Sequence, residues 1–494
     1  NHVILLIGLA VGVDYSLFYL RRVREERAAG KGNVAAIEAA AATSGRAVLV
    51  SGLTVMTAMA GMYFAGVPEF TAWATGTIAV VAVAMIGSLT VLPALLASLG
   101  DRVIKPGRIP GLARVKARAA RFGLWGRITD RVLRRPALST ALALGVLVAL
   151  AIPALHMTTG EPGPDTLPKN LAVVQTYKHL QAAFPSETNG MDVVIRAQDV
   201  TAPKVTAAIA KFEHEMAQRP ELFPDRNVDV DVSPNRTVAT INFATAGNGS
   251  DASSERGLDV VREDLVPQTF GAVNGVESYV DGQTAQARDF SDTLNSNIVL
   301  VFAFVIGVAF LLLLVTFRSI VIPVKAILLN LLSVFAAYGM MVLVFQHGWF
   351  KSLLGFSQTG PIVQWLPLFM FVILFGLSMD YHVFILSRVR EAYDRGMTTR
   401  DAVSYAVRNT AGVVTSAAIV MVAVFAIFGS LSWMMFKQMG VGLAFAVLLD
   451  ATLIRGVLLP ATMTLLGDLN WWLPKSLRWL PEVAHEGEVA PANA

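Results

Sequence analysis

Long apolar runs alternate with short polar ones along the chain, and one long polar stretch interrupts the series. An apolar run of about 20 residues is long enough to cross a bilayer as a helix. Nine such runs are predicted, at approximately 3–20, 46–66, 72–98, 137–155, 296–317, 322–346, 365–387, 410–430 and 435–466. The pattern therefore predicts an α-helical polytopic membrane protein.

The polar stretch 156–295 is too long for a connecting loop and predicts a separate domain. Its periodicity predicts, in order, a strand at 191–197, a helix at 202–218, strands at 228–232 and 237–243, a helix at 253–265 and a strand at 276–280. The order β-α-β-β-α-β is that of the split ferredoxin-like motif. We therefore expect an α+β ferredoxin-like domain at one membrane face, a fold that does not specify a function by itself.

Charged residues are few, and their positions predict the orientation. They make up 15% of the chain against 54% hydrophobic residues, well below the usual soluble level of about 25% charged. Segment 101–136 carries eleven Lys and Arg side chains, which are typically retained in the cytoplasm. Segment 156–295 holds 11 basic and 20 acidic residues. We expect a multi-pass plasma-membrane protein with this acidic domain outside; contact of 101–136 with anionic lipid stays an alternative, and nucleic-acid binding is disfavoured.

The residue types exclude several classes of chemistry. The chain has no cysteine, which excludes disulfides, thiolate metal sites and a cysteine nucleophile. Its seven histidines form no cluster with ligand spacing, and Gly30-Lys31-Gly32 lacks the other residues of a phosphate loop. No metal, cofactor or catalytic residue is predicted.

An internal repeat joins the two ends of the chain. Val11 to Tyr15 lies 366 positions before Leu377 to Tyr381, and Arg22-Val23-Arg24-Glu25 matches Arg388-Val389-Arg390-Glu391 at the same offset. After one inserted residue, Leu92-Pro93-Ala94 matches Leu459-Pro460-Ala461. A register held over about 90 residues indicates two parallel repeats, related by an axis along the membrane normal.

The repeat predicts the domain organisation. Because 1–101 corresponds to 367–468, we expect a longer protein with roughly 230 further N-terminal residues, twelve spans and a second external domain. The predicted segments are the last three spans of the first repeat (1–100), a basic cytoplasmic linker (101–136), the first span of the second repeat (137–155), the external domain (156–295), five remaining spans (296–467) and a cytoplasmic tail (468–494).

Two aspartates one repeat apart are the strongest candidates for chemistry. Asp14 and Asp380 fall within apolar spans, where a carboxylate costs at least about 2.5 kcal/mol and must face the bundle interior or water. Each is followed by a tyrosine, so a pseudo-twofold arrangement would let Asp14 face Tyr381 and Asp380 face Tyr15. We expect a proton relay; a pair of structural hydrogen bonds is the alternative.

Neighbouring polar residues extend this prediction. Ser51 is a candidate hydroxyl on the following helix, with Thr415 and Ser416 as its substitutes in the second repeat, although bonding to its own helix is the more common case. Gly8 and Gly12 form a face of small residues that allows close helix approach.

Three further residues have weaker signals. Asp450 and Arg455 are spaced five apart and are not ideally stacked for a helical ion pair, so we expect a structural or gating role. His382 lies beside Tyr381, but its repeat counterpart is Ser16, and an incidental role is expected.

These motifs resemble the resistance-nodulation-division (RND) superfamily, and in particular its MmpL branch, which is widespread in actinobacteria. The likeness rests on Gly12 to Ser16 with Arg22 to Glu25, on Gly376 to Tyr381 with Arg388 to Glu391, and on Leu449 to Thr452 with Arg455 and Leu459 to Ala461.

The resemblance implies a secondary active transporter rather than an enzyme, driven by the proton gradient and exporting lipids or other hydrophobic molecules through two external porter domains. It also implies that Asp14, Tyr15, Asp380, Tyr381 and Ser51 form the proton relay, and that accessory envelope proteins are further partners. The alternative is a non-transporting membrane module, such as a protein-translocation accessory or a sterol-sensor-like lipid receptor. Drug efflux is a variant that the sequence does not separate from lipid export.

Overall fold

A computed structural model gives the arrangement of most of the chain. It describes residues 2–99, 124–160, 172–183, 190–224, 228–249, 251–356 and 360–480. The first 23 residues of the predicted basic linker, 101–123, and most of the predicted tail lie outside the described residues.

Helices make up the membrane part. The first group is α1 (His2–Ala28), α2 (Asn33–Ala60), α3 (Pro68–Leu89), α4 (Val91–Leu99), α5 (Leu124–Arg134) and α6 (Pro136–Ala151), with 3-10 turns at Gly61–Ala65 and Ile152–His156.

The segment between the two membrane groups contains strands and shorter helices; we call it the external domain after its predicted position, which stays a prediction. They are β1 (Thr159–Gly160), α7 (Ala172–Ala183), β2 (Gly190–Arg196), α8 (Pro203–Ala217), β3 (Asp229–Val232), β4 (Val238–Ala244), α9 (Ala252–Asp259), a π-helical segment (Val260–Leu265), α10 (Val266–Thr269) and β5 (Glu277–Gly282).

The second membrane group follows it. Its elements are α11 (Gln283–Phe317), α12 (Val321–Met341), a π-helical segment (Val342–Gln346), α13 (Lys351–Leu354), β6 (Ile362–Val363), α14 (Leu366–Asp394), α15 (Thr399–Gly429), α16 (Met434–Leu449), a π-helical segment (Asp450–Leu458), α17 (Leu459–Leu466) and 3-10 turns at Gly467–Trp471 and Lys475–Leu477.

Eight helical runs in the described part of the chain are long and apolar enough to cross a membrane. The predicted first span, 3–20, lies within α1, which is not one of the eight. A polytopic helical membrane protein is therefore supported, while the count of nine spans stays a prediction. The most buried of the eight is α14, which lies at the centre of the bundle.

The two repeats pack as pseudo-twofold partners. Helix α1 packs on α2 and α3 within its own repeat and on α15 of the other, while α14 packs on α15 and on α2 of the other. Each repeat's first helix therefore contacts the second helix of its counterpart. This exchange brings α1 and α14 to the centre, where the paired Asp-Tyr motifs lie.

The external domain has the element order that the sequence predicts. Its four strands form an antiparallel sheet in the order β3-β4-β2-β5, with α8 and the α9–α10 segment in the connections. One face of the sheet is buried, with Met191, Val193 and Ile195 from β2 packing in a separate apolar core that includes Phe212 from α8. The opposite face carries Asp192.

The predicted boundary at residue 295 falls inside a continuous helix. Helix α11 has 35 residues, which corresponds to about 52 Å, against about 30 Å for the hydrocarbon core. It begins directly after β5, where Gly282 has a φ of +121°. The external domain is therefore joined to the bundle by a rigid element rather than by a linker.

Two carboxylates oppose each other on the open face of the sheet. Asp192 of β2 is directly opposite Asp281 of β5, an arrangement that is destabilising when both are ionised. Burial, and to a lesser extent the Asp281 charge, raises the pKa of the Asp192 carboxyl. Since the folded state holds this proton more tightly than the unfolded chain does, stability is lost as the pH rises from the unfolded pKa through the folded pKa.

We therefore expect Asp192→Asn to stabilise the sheet at pH 7. Amide hydrogen exchange of Gly190–Arg196 in the intact chain should slow by roughly twofold to fivefold relative to the wild type. The difference should vanish at pH 3, where Asp192 is protonated in both states. Asp231→Asn is the control, because Asp231 is opposite Thr240; an equal effect of both variants would contradict the pairing argument.

Candidate functional site

The two repeats meet through a tyrosine and an aspartate. Asp14 of α1 and Tyr381 of α14 are both buried, and the Tyr381 hydroxyl donates a hydrogen bond to Asp14 Oδ2. The other carboxylate oxygen, Oδ1, is buried without a hydrogen-bond partner among the described residues. Met421 Sδ of α15 is 3.4 Å from the same hydroxyl. The structure thus brings together one of the two predicted Asp-Tyr pairs.

The second predicted pair is described only in part. Tyr15 is buried, and Ser51 Oγ of α2 donates to its hydroxyl at 3.3 Å. Ser51 therefore contacts the candidate relay, as its prediction requires. Asp380 belongs to α14, but its side chain lies outside the described residues, so its facing Tyr15 stays a prediction.

The expectation that Asp450 and Arg455 stack poorly is wrong, because the local helix is not an α-helix. Asp450–Leu458 is a π-helical segment, whose i→i+5 hydrogen bonding widens the turn. Residues five apart then lie above one another, and Arg455 Nη2 forms a buried ion pair with Asp450 Oδ2. Spacing rules for α-helices could not predict this contact.

Arg455 connects this ion pair to the Asp14–Tyr381 contact. Its guanidinium carbon lies 4.1 Å from the centroid of the Tyr381 ring, within the range of a cation–π interaction. Ser378 Oγ donates to Asp450 Oδ2 at 2.8 Å. The buried groups therefore form one continuous cluster, which we call the charge cluster: Asp14, Tyr381, Arg455, Asp450 and Ser378.

Ser378, together with two residues of α12, was missed by the sequence analysis. Asn330 and Ser333 line a cavity of about 10 Å³ together with Ser378, Tyr381 and Asp450. A cavity of this size has room for about one water molecule. In the sequence, these three residues stand out only as polar side chains within apolar spans. Such a side chain needs a partner, but the sequence does not indicate which one.

Two weaker sequence predictions have different outcomes. Thr415 and Ser416 each donate to the carbonyl four residues earlier, at 2.7 and 2.8 Å, so they do not replace Ser51 in the second repeat. His382 is fully buried, and its Nδ1 lies 3.0 Å from the Ser378 carbonyl oxygen. Its expected incidental role stays a prediction.

The predicted close approach at Gly8 and Gly12 is made to α3. A Cβ at Gly8 would lie 2.8 Å from Val80, and one at Gly12 would lie 3.8 Å from Ala84. Only Gly8 is therefore required for close packing, and it allows α1 to approach a helix of its own repeat rather than α14.

A polar cavity lies at the basic end of the bundle. It has a volume of about 310 Å³ and is lined by Arg21, Arg22, Arg388, Asn409 and Thr410 among others. Phe384, one helical turn beyond Tyr381, also lines it. The cavity therefore approaches the charge cluster to within about one turn of α14.

We predict that removing one partner of the buried ion pair destabilises the protein. Arg455→Met leaves Asp450 buried and unpaired, which should cost about 3–5 kcal/mol, and adding Asp450→Asn should recover much of the loss. Thermal unfolding of the detergent-solubilised protein measures both effects. Arg219→Met is the control, since its partner Glu215 is 3.8 Å away and both side chains are only half-buried; equal melting temperatures for the single and double Arg455 variants would contradict the pairing.

Known proteins resemble this chain in sequence and fold. A mycolic acid-containing lipids exporter, MmpL11 of Mycolicibacterium smegmatis, is 37% identical over 97% of this chain and 50% of its own length. A heme uptake protein, MmpL11 of Mycobacterium tuberculosis, is 37% identical over 97% of this chain and 49% of its own length. The chain thus spans about half the length of these relatives.

One solved structure shares the fold at low sequence identity. SecDF of Thermus thermophilus, a translocon-associated membrane protein, has a TM-score of 0.53 at 16% identity, covering 94% of this chain and 54% of that one. The sequence model of the MMPL family matches residues 2–139 and 165–491. The chain therefore belongs to the MMPL family.

Proposed function

We propose that this chain is part of a transporter in which proton binding at the charge cluster drives export of lipids or other hydrophobic molecules. The observation that carries the proposal is the buried Tyr381–Asp14 hydrogen bond, which joins the two repeats. Asp14 is the proton-binding group, and Tyr381 is its hydrogen-bond donor.

The charge balance of the cluster supports binding of one proton. Asp14 and Asp450 are two carboxylates facing one guanidinium, that of Arg455. With both ionised, the described groups carry a net charge of −1 in a medium where an uncompensated charge is costly. One proton neutralises the cluster, and Asp14 is the better site because Asp450 already pairs with Arg455.

Protonation at this position is able to change how the repeats contact each other. An ionised Asp14 accepts a strong hydrogen bond from Tyr381, and protonation weakens that bond. The changed contact lies between α1 and α14, one from each repeat. Movement between repeats reaches the external domain through α11, which packs on α14 and is continuous with β5. In our proposal this domain is the porter domain, outside the membrane.

Protons need a path on both sides of Asp14. Among the described residues, two cavities lie near the cluster, a small one beside Ser378 and Asn330 and a larger one lined by Arg21 and Arg388. We propose that the larger one is the cytoplasmic end of the path, and that Phe384 separates it from Tyr381 at rest. Tyr15 and Ser51, with Asp380 as the expected partner, form the second branch of the relay.

An apolar cavity between α15 and α16 has the chemistry for a hydrophobic cargo. It has a volume of about 470 Å³ and is lined by Val422, Ala426, Val441 and Phe445 among others. It lies near the end of the bundle that we assign to the outer leaflet. The two MmpL11 relatives are named for mycolic acid-containing lipids and for heme, and both are hydrophobic cargoes. We therefore propose that a lipid or a similarly hydrophobic molecule contacts this cavity.

Two substitutions in the charge cluster test the proposal. In the intact transporter, reconstituted in liposomes with an imposed proton gradient, Asp14→Asn should reduce lipid transport to about background because no carboxylate remains in the apolar run 3–20 of α1. Tyr381→Phe should reduce it strongly while keeping the ring against Arg455. Transport of a fluorescent lipid and the accompanying pH change measure both effects.

Tyr19→Phe is the matched control. Tyr19 is a buried tyrosine on α1, the helix that carries Asp14. Its hydroxyl donates to the Ile37 carbonyl at 3.2 Å, outside the charge cluster. It should transport nearly as the wild type does. Gradient-driven transport that persists in Asp14→Asn would overturn the relay; a loss of protein secretion alone would favour a translocation accessory.

The orientation is tested separately, because the chain has no cysteine. Asn409→Cys, in the cavity lined by arginines, should react with a membrane-impermeant maleimide only after the cells are permeabilised. Asn295→Cys, on the external part of α11, should react in intact cells. The reverse pattern would place the external domain in the cytoplasm and contradict the proposed direction of transport.

A further inference from the structure

A cationic cavity lies where the α5 helix meets the first residues of α6. It has a volume of about 850 Å³ and is lined by Arg127, Arg131, Arg134 and Arg135 on one side and by Leu138 and Leu142 on the other. Arg127, Arg131 and Arg134 are spaced three and four apart, so they share one face of α5. This face is exposed.

The opposite face of α5 fixes the helix to the bundle. Val132 and Leu133 are buried, and Arg400 donates to the Leu133 carbonyl at 3.0 Å. The Trp125 ring packs against Gly456, where a Cβ would lie 2.5 Å from it. Because these contacts orient the helix, the arginines are held on one wall instead of being free to separate.

The charge on this wall is not balanced within the described part of the chain. None of the four arginines forms an ion pair with a described residue. The one carboxylate that lines the cavity, Asp130, is paired with Arg408. Four guanidiniums around one space repel one another, and a phosphate group is an anion that their planar donors bind bidentately.

The other wall has the chemistry of an acyl-chain contact. Leu138 and Leu142 are one helical turn apart on α6 and are both largely exposed. They occupy the first turns of a segment that is apolar enough to cross the membrane and is mostly unburied by protein. A cationic wall that continues directly into an apolar wall matches a molecule with a charged head and a hydrocarbon tail.

We propose that this cavity binds an anionic phospholipid from the leaflet on the basic side. The phosphate lies on Arg127, Arg131 and Arg134, and the first acyl methylenes lie along Leu138 and Leu142. A nucleic acid also has phosphates, but it offers nothing for the two leucines. Trp125 of α5 contacts Gly456, which follows Arg455 in the π-helical segment. A lipid bound to α5 therefore also stabilises the packing of α5 on that segment.

The test is a lipid titration of the intact protein followed by native mass spectrometry. Phosphatidylglycerol and phosphatidylcholine with identical acyl chains are the probes. We expect phosphatidylglycerol to be retained and phosphatidylcholine to bind much more weakly. The variant Arg127→Gln/Arg131→Gln/Arg134→Gln should weaken phosphatidylglycerol binding roughly a hundredfold, given the contribution of each cationic side chain near an anionic lipid surface.

The control removes the same charge elsewhere on the basic side. It combines Arg24→Gln, Arg395→Gln and Arg478→Gln, at three exposed arginines outside the cavity. This control variant should bind phosphatidylglycerol nearly as tightly as the wild type does. Leu138→Glu tests the apolar wall independently, and it should also weaken binding because a carboxylate would face the lipid tail.

Three outcomes would overturn the proposal. One is equal retention of the two lipids by the wild-type protein. Another is an equal loss of binding in the cavity variant and in the control variant. The third is displacement of phosphatidylglycerol by a short single-stranded oligonucleotide at equal phosphate concentration, which would favour nucleic acid as the occupant.

Discussion

The membrane bundle is organised by the requirement that each charged group placed in an apolar interior has a partner. An ionised side chain without one is costly in hydrocarbon, and a partner on a different helix fixes how the two helices sit. Asp14 meets this requirement through Tyr381 of the other repeat, and Asp450 meets it through Arg455. Lys325 of α12, which is also buried, meets it through Asn470 at 2.9 Å, near the end of the last helical run. The Asp14–Tyr381 and Lys325–Asn470 contacts tie together segments that are distant in sequence.

The same requirement explains the π-helical geometry at Asp450–Leu458. An α-helix would separate Asp450 from Arg455 around its circumference, and each would then need its own partner. The π-helical segment brings the two charges together and also positions the guanidinium on the Tyr381 ring. Irregular helix turns of this kind are frequent at functional sites. This local change of backbone connects the Asp450–Arg455 ion pair to the Tyr381–Asp14 hydrogen bond.

The fold also provides a mechanical connection between the bundle and the external sheet. Because α11 runs unbroken from β5 through the membrane part, a displacement of that helix must move the sheet as well. A parallel pairing of β1 with β6 makes a second connection, between the segment after α6 and the segment before α14. The helix that carries Tyr381 is therefore linked to this domain by two routes. In our proposal, these routes couple the protonation state to the porter domain.

Local pattern and repetition determined much of this protein. The spacing of apolar residues predicts the membrane helices, because burial in a bilayer requires long apolar runs. The alternation in 190–282 predicts the strands and helices of the external domain to within one or two residues at most boundaries. The repeat predicts that the Asp-Tyr motifs face each other, since equivalent positions must approach a common axis. The contact between Asp14 and Tyr381, and the family itself, were therefore accessible from the sequence.

Only the tertiary structure decided which polar groups share the centre. Ser378, Asn330 and Ser333 became part of the site through the packing of α12, α14 and the π-helical segment, and no spacing within one helix encodes that contact. The pairing of Asp450 with Arg455 depends on a backbone geometry that a count of residues per turn does not give. The sequence also did not predict that one helix continues through residue 295, because polarity changes there while helical hydrogen bonding does not. A sequence states which residues must be buried or paired, and the packing of distant helices decides with what.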